Sequence, residues 1–464
     1  MSSRLHELGA AELAARYGRG ELSPLDVTRA VLERIERCEP VLHATWALDA
    51  EAALAQARAS EARWRRGEPL SMLDGVPATV KENIATAGLP VPLGTAATEL
   101  VPAAEDAPPA ARLKEAGAVI VCKTTMPDYG MLSSGLSSFH ALARNPWDPS
   151  KTPGGSSAGA AAAAAAGYGP LHVGTDIGGS IRLPAGWCGV AGLKPSLGRV
   201  PIKPPYAGRV AGPLTRTVDD AARLMAVLSK PDPRDTMSLP PQTLEWLSLD
   251  VDVRGLKLGL QLDAGWGLPV EPEVRDVVTA AARAFERAGA IVEPVAPFCT
   301  RAMVEGLNDF WRMRSWLDLK ALPEARRDKV LPYIRAWAEG ARGLDGERVF
   351  AGYSQMGAMR EAAVAACRPF DFVLSPVSPV PAFDAGLPSP VNDPERPFEH
   401  IAFTVPYNFS EQPAVSVNAG YTAAGLPVGL QIAGARFDDL GVLRLARAWE
   451  HLRPPQRPWP AVAA

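Results

Sequence analysis

Residues 152–188 read TPGGSSAGAAAAAAAGYGPLHVGTDIGGSIRLPAGWC. The stretch holds two glycine–serine segments separated by an alanine run. In the first segment, paired glycines permit backbone angles closed to other residues, and the alanines that follow favour a slim, closely packing helix. Ser156 and Ser157 are therefore expected near the start of a helix. Serine is also a favoured capping residue there, so a purely structural role stays open.

The second segment, GTDIGGSIR at residues 174–182, places two glycines directly before Ser180. Consecutive glycines can turn several backbone N–H groups toward one point, which suits an oxyanion next to a nucleophilic hydroxyl. A phosphate loop is disfavoured because the chain has no GxxxxGK[ST] pattern here. Residues 155–159 formally match the G-x-S-x-G elbow of α/β-hydrolases, but three prolines between residues 145 and 153 argue against the strand that must precede it.

A third segment, LDGVPATVKEN at residues 73–83, places Lys81 at the end of a short apolar stretch. A lone lysine is normally a solvated side chain. If this one is buried, its pKa falls and it can accept a proton near neutral pH.

Helices alternate with short apolar strands along the rest of the chain. A helix is predicted to begin at Ser23-Pro24, another runs over residues 50–66, and two more end in Gly117 and Gly289 before strands. The predicted strands are residues 118–122, 256–260, 290–292, 372–374, 414–417 and 428–432. This alternation predicts an α/β sheet covered on both faces. The proline-rich residues 230–241 are interpreted as a surface excursion rather than a domain linker.

Composition narrows the class of function. A net charge of −3 offers no general attraction for nucleic acid or an anionic membrane. The N-terminal residues lack the pattern of a secretory signal, and no apolar run is long enough to span a bilayer, so we expect a cytoplasmic protein. The five cysteines are scattered, without CxxC spacing, so neither a metal site nor a disulfide framework is expected.

The three segments, in this order, resemble the amidase signature family. The likeness is specific over roughly 60 residues from Asn145, where the only visible departure is Ala158, and FTVPYN at 403–408 with GLPVGLQIAG at 425–434 extends it. It implies a mixed, twisted α/β sheet of about ten or eleven strands with helices on both faces. It also implies a single amidase domain over residues 1–464, with N-terminal helices in 1–70, a catalytic core in 71–220 and a variable substrate-selectivity region in 225–400.

Carried over by position, the resemblance implies an acyl-enzyme mechanism without cofactor or metal. Ser180 would be the nucleophile, Ser156 a proton relay preceded by a cis peptide bond, and Lys81 the base. The implied oxyanion donors are the backbone N–H groups of Ile177, Gly178, Gly179 and Ser180. The implied supporting network is formed by Ser157, Asp176 and Arg182.

Substrate choice is less constrained. Tyr129, Gly130 and Met131 are expected to wall the acyl pocket, while Phe310, Trp311, Trp316 and Trp337 line an aromatic-accepting cleft or simply pack between helices. The first candidate function is hydrolysis of a small-molecule aryl or alkyl amide or a carbamate (urethane). The second, the glutaminase subunit of a tRNA-dependent amidotransferase, is disfavoured because residues 204–213 are shorter than the corresponding stretch there. A peptide amidase, an inactive binding protein with this fold, and a homodimeric state all stay open.

Overall fold

The computed structural model describes residues 4–462, which are built around one mixed β-sheet. Within these residues the strands are β1 Thr45–Trp46, β2 Pro77–Lys81, β3 Val119–Thr124, β4 Leu171–Asp176, β5 Ala191–Lys194, β6 Val210–Thr215, β7 Lys257–Leu260, β8 Ile291–Pro294, β9 Phe372–Pro376, β10 Ala414–Tyr421 and β11 Pro427–Ala433. The α-helices are α1 Ala10–Gly18, α2 Pro24–Leu42, α3 Ala50–Arg66, α4 Pro108–Glu115, α5 Ala158–Ala166, α6 Arg182–Cys188, α7 Val218–Leu228, α8 Pro272–Arg287, α9 Arg301–Lys320, α10 Glu324–Arg327, α11 Pro332–Glu339, α12 Gly346–Cys367, α13 Val405–Phe409 and α14 Asp439–Leu452. Two 3-10 helices lie at Leu5–Glu7 and Asp128–Gly130.

The strands follow the order β1-β3-β2-β4-β6-β5-β10-β11-β9-β7-β8. β2 runs parallel to β3 and β4, and β7 runs parallel to β8 and β9, whereas the strands from β4 to β9 through β6, β5, β10 and β11 pair antiparallel. In the part of the chain described, an 11-stranded mixed sheet is flanked by helices. The predicted α/β architecture is therefore confirmed.

Local sequence signals placed the elements correctly. Ser23 caps α2, because its Oγ accepts a hydrogen bond from the Leu25 N–H at 3.0 Å. Gly67 ends α3 with a φ of +72°, a conformation that favours glycine. Each of the six predicted strands overlaps a strand of the sheet. Residues 230–241 lie in the connection between α7 and β7, and most of them are exposed or half-buried.

The sheet brings the segments that contain Lys81, Ser156 and Ser180 to one edge. Val80 of β2 pairs with Val173 of β4 in parallel, so the carboxyl ends of both strands reach the same edge. Helix α5 packs behind this edge and is buried along its whole length. A Cβ on Gly159 would lie 2.1 Å from the Ala44 carbonyl oxygen, so only glycine permits this close approach.

Candidate active site

Lys81 is fully buried at the end of β2. Its Nζ lies 2.8 Å from Ser156 Oγ, 3.1 Å from Ser157 Oγ and 3.1 Å from Thr175 Oγ1. The alternative of a solvated surface lysine is therefore wrong. The structure brings the Lys81 amine into contact with Ser156 and Ser157, which follow Lys81 by 75 and 76 residues in the sequence.

The surroundings of Lys81 favour its neutral form. Burial lowers the pKa of the amine to about 7, and the positive charge of Arg209 adds to this, while the carboxylates of Asp176 and Glu82 oppose it. A neutral amine carries a lone pair that can accept a proton from a neighbouring hydroxyl. The site therefore contains a group suited to general-base chemistry near neutral pH.

The two serines before α5 have different surroundings. The Gly155–Ser156 peptide bond is cis, as the resemblance implies. Ser157 occupies the capping position of α5 but makes no capping hydrogen bond with its side chain. Instead, its Oγ donates to the Thr175 carbonyl at 3.1 Å and accepts from the Thr175 N–H at 3.2 Å. Ser157 thus ties the serine loop to the end of β4, and the capping interpretation is wrong for its side chain.

The glycine-rich loop after β4 presents Ser180. Gly179 has a φ of +130°, and a Cβ there would lie 2.6 Å from Thr404 Oγ1, so the loop requires glycine. The Gly179 N–H donates to Asp176 Oδ1 at 2.8 Å. Among the described residues, no protein hydrogen bond takes the N–H of Ile177, Gly178 or Ser180. Of the four N–H groups expected to hold an oxyanion, that of Gly179 is therefore already engaged by the Asp176 carboxylate.

The proton relay expected between Ser156 and Ser180 lacks one hydrogen bond in this structure. Within residues 4–462, no hydrogen bond joins the two hydroxyls, although both line the same cavity. The two loops are held together by their backbones, because the Ser157 N–H donates to the Ser180 carbonyl at 3.1 Å. The Ser180 side chain is only partly buried, so rotation about its Cα–Cβ bond can change the Oγ position without moving the backbone.

Asp176 and Arg182 form a fully buried ion pair. Arg182 Nε and Nη2 donate to the two Asp176 oxygens at 3.0 and 2.9 Å, and its remaining donors reach Thr404, Asn408 and Gln431 at 2.7–2.8 Å. Burial alone would raise the pKa of Asp176, but the Arg182 charge and the hydrogen bonds outweigh it and hold the pKa below its usual range. The ionised carboxylate also accepts from the Ile181 N–H at 3.0 Å and so fixes the loop around Ser180.

Two cavities meet at Ser180. The first, here called the apolar cavity, is lined mainly by Met131, Leu132, Ile177, Leu183, Trp311, Pro397, Phe398 and Ile401, and Gly130, Ser133, Gly178, Ser180 and Arg314 also border it. The second, the polar cavity, is lined by residues that include Asn83, Tyr129, Gly130, Ser156, Thr175, Ser180, Tyr206, Arg209, Arg314 and Asp318. The structure thus places all three predicted pocket residues, Tyr129, Gly130 and Met131, around the candidate nucleophile.

Only one of the four aromatic residues considered for a cleft lines either cavity. Trp311 borders the apolar cavity. Trp337 is buried against Phe398, Phe310 packs on Tyr353, and the ring of Trp316 lies under the Arg342 guanidinium. Phe310 thus packs between helices α9 and α12, whereas Trp337 and Trp316 contact residues that lie outside the helices.

Sequence reasoning missed three polar residues of the site. Thr175 contacts the amine of Lys81, and its position beside that residue follows only from the parallel pairing of β2 with β4. Arg209 precedes β6 and Arg314 lies on α9, yet both line the polar cavity. No local pattern marks these two arginines, because they come from segments distant in sequence.

Residues 4–462 show neither a metal-binding cluster nor a membrane-spanning helix. The described residues contain no group of three or more His, Cys, Asp or Glu side chains arranged to hold a metal ion. None of the helices between residues 4 and 462 is long and apolar enough to cross a bilayer.

Comparisons with known proteins find related sequences and structures that span most of the chain. A sequence model of the family described as Amidase matches residues 26–443. One of the subunits of glutamyl-tRNA(Gln) amidotransferase from Myxococcus xanthus is 38% identical, over 96% of this chain and 97% of that protein. A bacterial aryl acylamidase of the amidase signature enzymes family has a similar structure, with a TM-score of 0.88 and 30% identity over 97% of both chains. The peptide amidase from Stenotrophomonas maltophilia follows with a TM-score of 0.84 and 28% identity over 98% of both chains.

Proposed function

This chain belongs to the amidase family, and from that premise we propose that it hydrolyses the C–N bond of small-molecule amides with an apolar acyl group. The observation that carries the proposal is the apolar cavity, which is bordered by Ser180 and by Ile177 and Gly178, whose N–H groups have no acceptor among the described residues. A carbonyl carbon held at Ser180 has its oxygen near these donors and its acyl chain among apolar side chains. Aryl amides and aryl carbamates fit this arrangement.

Lys81, Ser156 and Ser180 carry the proposed reaction. Neutral Lys81 takes the proton of Ser156, which takes that of Ser180, and the Ser180 oxygen bonds to the carbonyl carbon. When the tetrahedral intermediate collapses, the C–N bond breaks and Ser156 returns a proton to the departing amine. Water then attacks the acyl-enzyme, gives its proton to the same relay, and releases the carboxylic acid and Ser180. The hydroxyls of Ser156 and Ser180, which are not hydrogen-bonded to each other in this structure, must come within hydrogen-bond distance before the first proton transfer.

The domain organisation expected from the sequence supports this assignment. Residues 71–220 contain Lys81, both serine segments and the oxyanion donors. The segment 225–400 contributes Trp311 and Phe398 to the apolar cavity. We therefore propose that residues 71–220 perform the chemistry and that residues 225–400 select the acyl group.

A glutaminase subunit of a tRNA-dependent amidotransferase is the second candidate. The name of the relative at 38% identity favours it over a general amidohydrolase. The cavity chemistry favours the first candidate, since the acyl half of glutamine carries an ammonium, and the residues that line the apolar cavity include no carboxylate to pair with it. If the second candidate is correct, the chain would use glutamine as the ammonia source and act with partner chains.

Rates on a substrate panel test these candidates. We expect phenylacetanilide or a phenyl carbamate to be cleaved with a higher kcat/KM than butyramide or L-glutamine. Rapid quenching of the phenylacetanilide reaction, followed by peptide mass spectrometry, should find the phenylacetyl group on Ser180. Ser180→Ala should abolish both signals, while the exposed control Ser248→Ala should retain them.

The panel also identifies the alternatives. Ammonia release from glutamine that exceeds every other rate would replace the first candidate with the second. Background rates on all four substrates, equal in wild type and Ser180→Ala, would indicate a binding protein with the amidase fold.

A further inference from the structure

The polar cavity contains two arginines that the proposed chemistry does not use. The Arg209 side chain makes one hydrogen bond, from Nη1 to the Pro204 carbonyl at 3.1 Å. The Arg314 guanidinium lies over the Tyr206 ring at 4.9 Å, and its only hydrogen-bond contact within the described chain is with the sulfur of Met131 at 3.8 Å. Most of the donors on these two guanidiniums are therefore directed at no protein acceptor.

Neither arginine forms an ion pair with any described residue. Asp318 lines the same cavity and follows Arg314 by one helical turn, but the two side chains are not within salt-bridge distance. Asp176 also borders the cavity, but its oxygens are already occupied by Arg182 and backbone N–H groups. Asp318, which interacts with Arg314 through space, is thus the one carboxylate of this cavity left to offset the two positive charges.

The two arginine charges act on each other. Burial lowers the pKa of Arg209 to about 10, and the nearby charge of Arg314 contributes to this lowering. Bringing two like charges together in a partly buried site is unfavourable unless an anion joins them. Arginine presents a planar fork of donors that matches a carboxylate, which makes a carboxylate the natural occupant.

Ser156 indicates which half of the substrate enters this cavity. In the proposed reaction, Ser156 returns the proton to the departing amine, so the amine must lie beside it. Ser156 lines the polar cavity and is not among the residues of the apolar one. Arg314 borders both cavities, whereas Arg209 and Tyr206 line only the polar cavity. The acyl half therefore occupies the apolar cavity, and the amine half faces the arginines.

We propose that Arg209 and Arg314 form a carboxylate-binding subsite for the amine half, which makes N-acyl amino acids with an apolar acyl group the preferred substrates. This inference rests on the proposed function, since it assigns the leaving group of that reaction. It predicts products of one apolar carboxylic acid and one amino acid.

Two substrates with the same acyl group isolate the anion. N-Phenylacetyl-β-alanine and N-isopentylphenylacetamide have amine halves of nearly equal shape, but only the first carries a carboxylate. We expect wild-type kcat/KM to be about 10- to 100-fold higher for the β-alanine compound, the range given by a charge-assisted hydrogen-bond pair. In Arg314→Met and Arg209→Met, the ratio of the two kcat/KM values should fall at least about tenfold.

The control is Arg283→Met, the same substitution at an exposed arginine of α8 that lines neither cavity, and it should keep the wild-type ratio. Binding of both compounds to Ser180→Ala, measured by calorimetry, reports the anion preference without turnover. Tighter binding of the β-alanine compound, lost on adding Arg314→Met, supports the subsite even if hydrolysis is slow.

The outcomes separate the two proposals. Efficient hydrolysis of both compounds with a ratio near one, unchanged in Arg314→Met, overturns the carboxylate subsite and leaves the proposed function standing. Absence of hydrolysis of either compound by the wild type, together with cleavage of glutamine, overturns the proposed function.

Discussion

Lys81 and Lys123 lie on the adjacent strands β2 and β3, and burial lowers the pKa of each to about 7. Their neighbours differ. The Lys81 amine faces three hydroxyls, two of which belong to residues that line the polar cavity. The Lys123 amine contacts the Ile84 carbonyl and Thr86 Oγ1, and neither residue lines a cavity at Ser180. Burial therefore supplies a low pKa at both positions, but only Lys81 has hydroxyls leading to a substrate.

Replacing each lysine by methionine tests this contrast most strongly. Lys81→Met removes the proposed base and should lower kcat on phenylacetanilide about 10⁴-fold or more, as expected for one member of a catalytic unit. Lys123→Met removes an equally buried amine and should keep kcat within about tenfold. Steady-state rates of both variants, with circular dichroism to verify folding, provide the measurement. Equal losses in two folded variants would mean that the hydroxyls around Lys81 do not set it apart from another buried lysine.

The ion pair of Arg182 and Asp176 extends the comparison to buried groups that remain charged. Arg182→Met leaves the Asp176 carboxylate buried without its partner, so we expect the free energy of unfolding to fall by about 3–5 kcal/mol. Urea denaturation measures this change. The exposed control Arg283→Met should change the free energy by less than about 0.5 kcal/mol. A loss of similar size in both variants would mean that the pair contributes little beyond an ordinary surface arginine.

The contrast between the lysines also shows what the sequence could predict. The glycine–serine segments and the apolar stretch before Lys81 identified the family and singled out Lys81, Ser156 and Ser180 as candidates, because each is a local pattern. The contact of Thr175 with Lys81 depends on strand pairing, and the use of the Gly179 N–H by Asp176 depends on the loop conformation. Neither leaves a local signal. Likewise, helical spacing cannot distinguish Trp311, which lines a cavity, from the aromatics that only pack.

The dependence of activity on pH distinguishes Lys81 from a group of ordinary pKa. Because the base must be neutral, kcat/KM should fall about tenfold per pH unit below pH 7, the pKa of Lys81. Arg209 helps to lower this pKa, so Arg209→Met should raise it and move the midpoint to higher pH. The uncharged N-isopentylphenylacetamide is the substrate of choice, since it does not report anion binding. A midpoint that is the same in the wild type, Arg209→Met and the control Arg283→Met would remove Arg209 from the electrostatics of the base.

The smallest expected effect is on the pH dependence of the free energy of unfolding. It concerns Lys123, which takes no part in the proposed reaction. Its pKa in the folded chain is about 7, below the unfolded value near 10.4, so between these limits the unfolded chain binds a proton that the folded chain does not. The free energy of unfolding contributed by this residue therefore rises with pH in that window. Lys123→Met should reduce the slope between pH 7.5 and 8.5 by about 1 kcal/mol per pH unit. Urea denaturation at both pH values measures the slope, and the exposed control Lys230→Met should leave it unchanged. An unaltered slope in Lys123→Met would mean that Lys123 keeps its proton in the folded protein, so that burial alone does not neutralise a lysine of this sheet and Lys81 would need the added positive charge of Arg209 to do so.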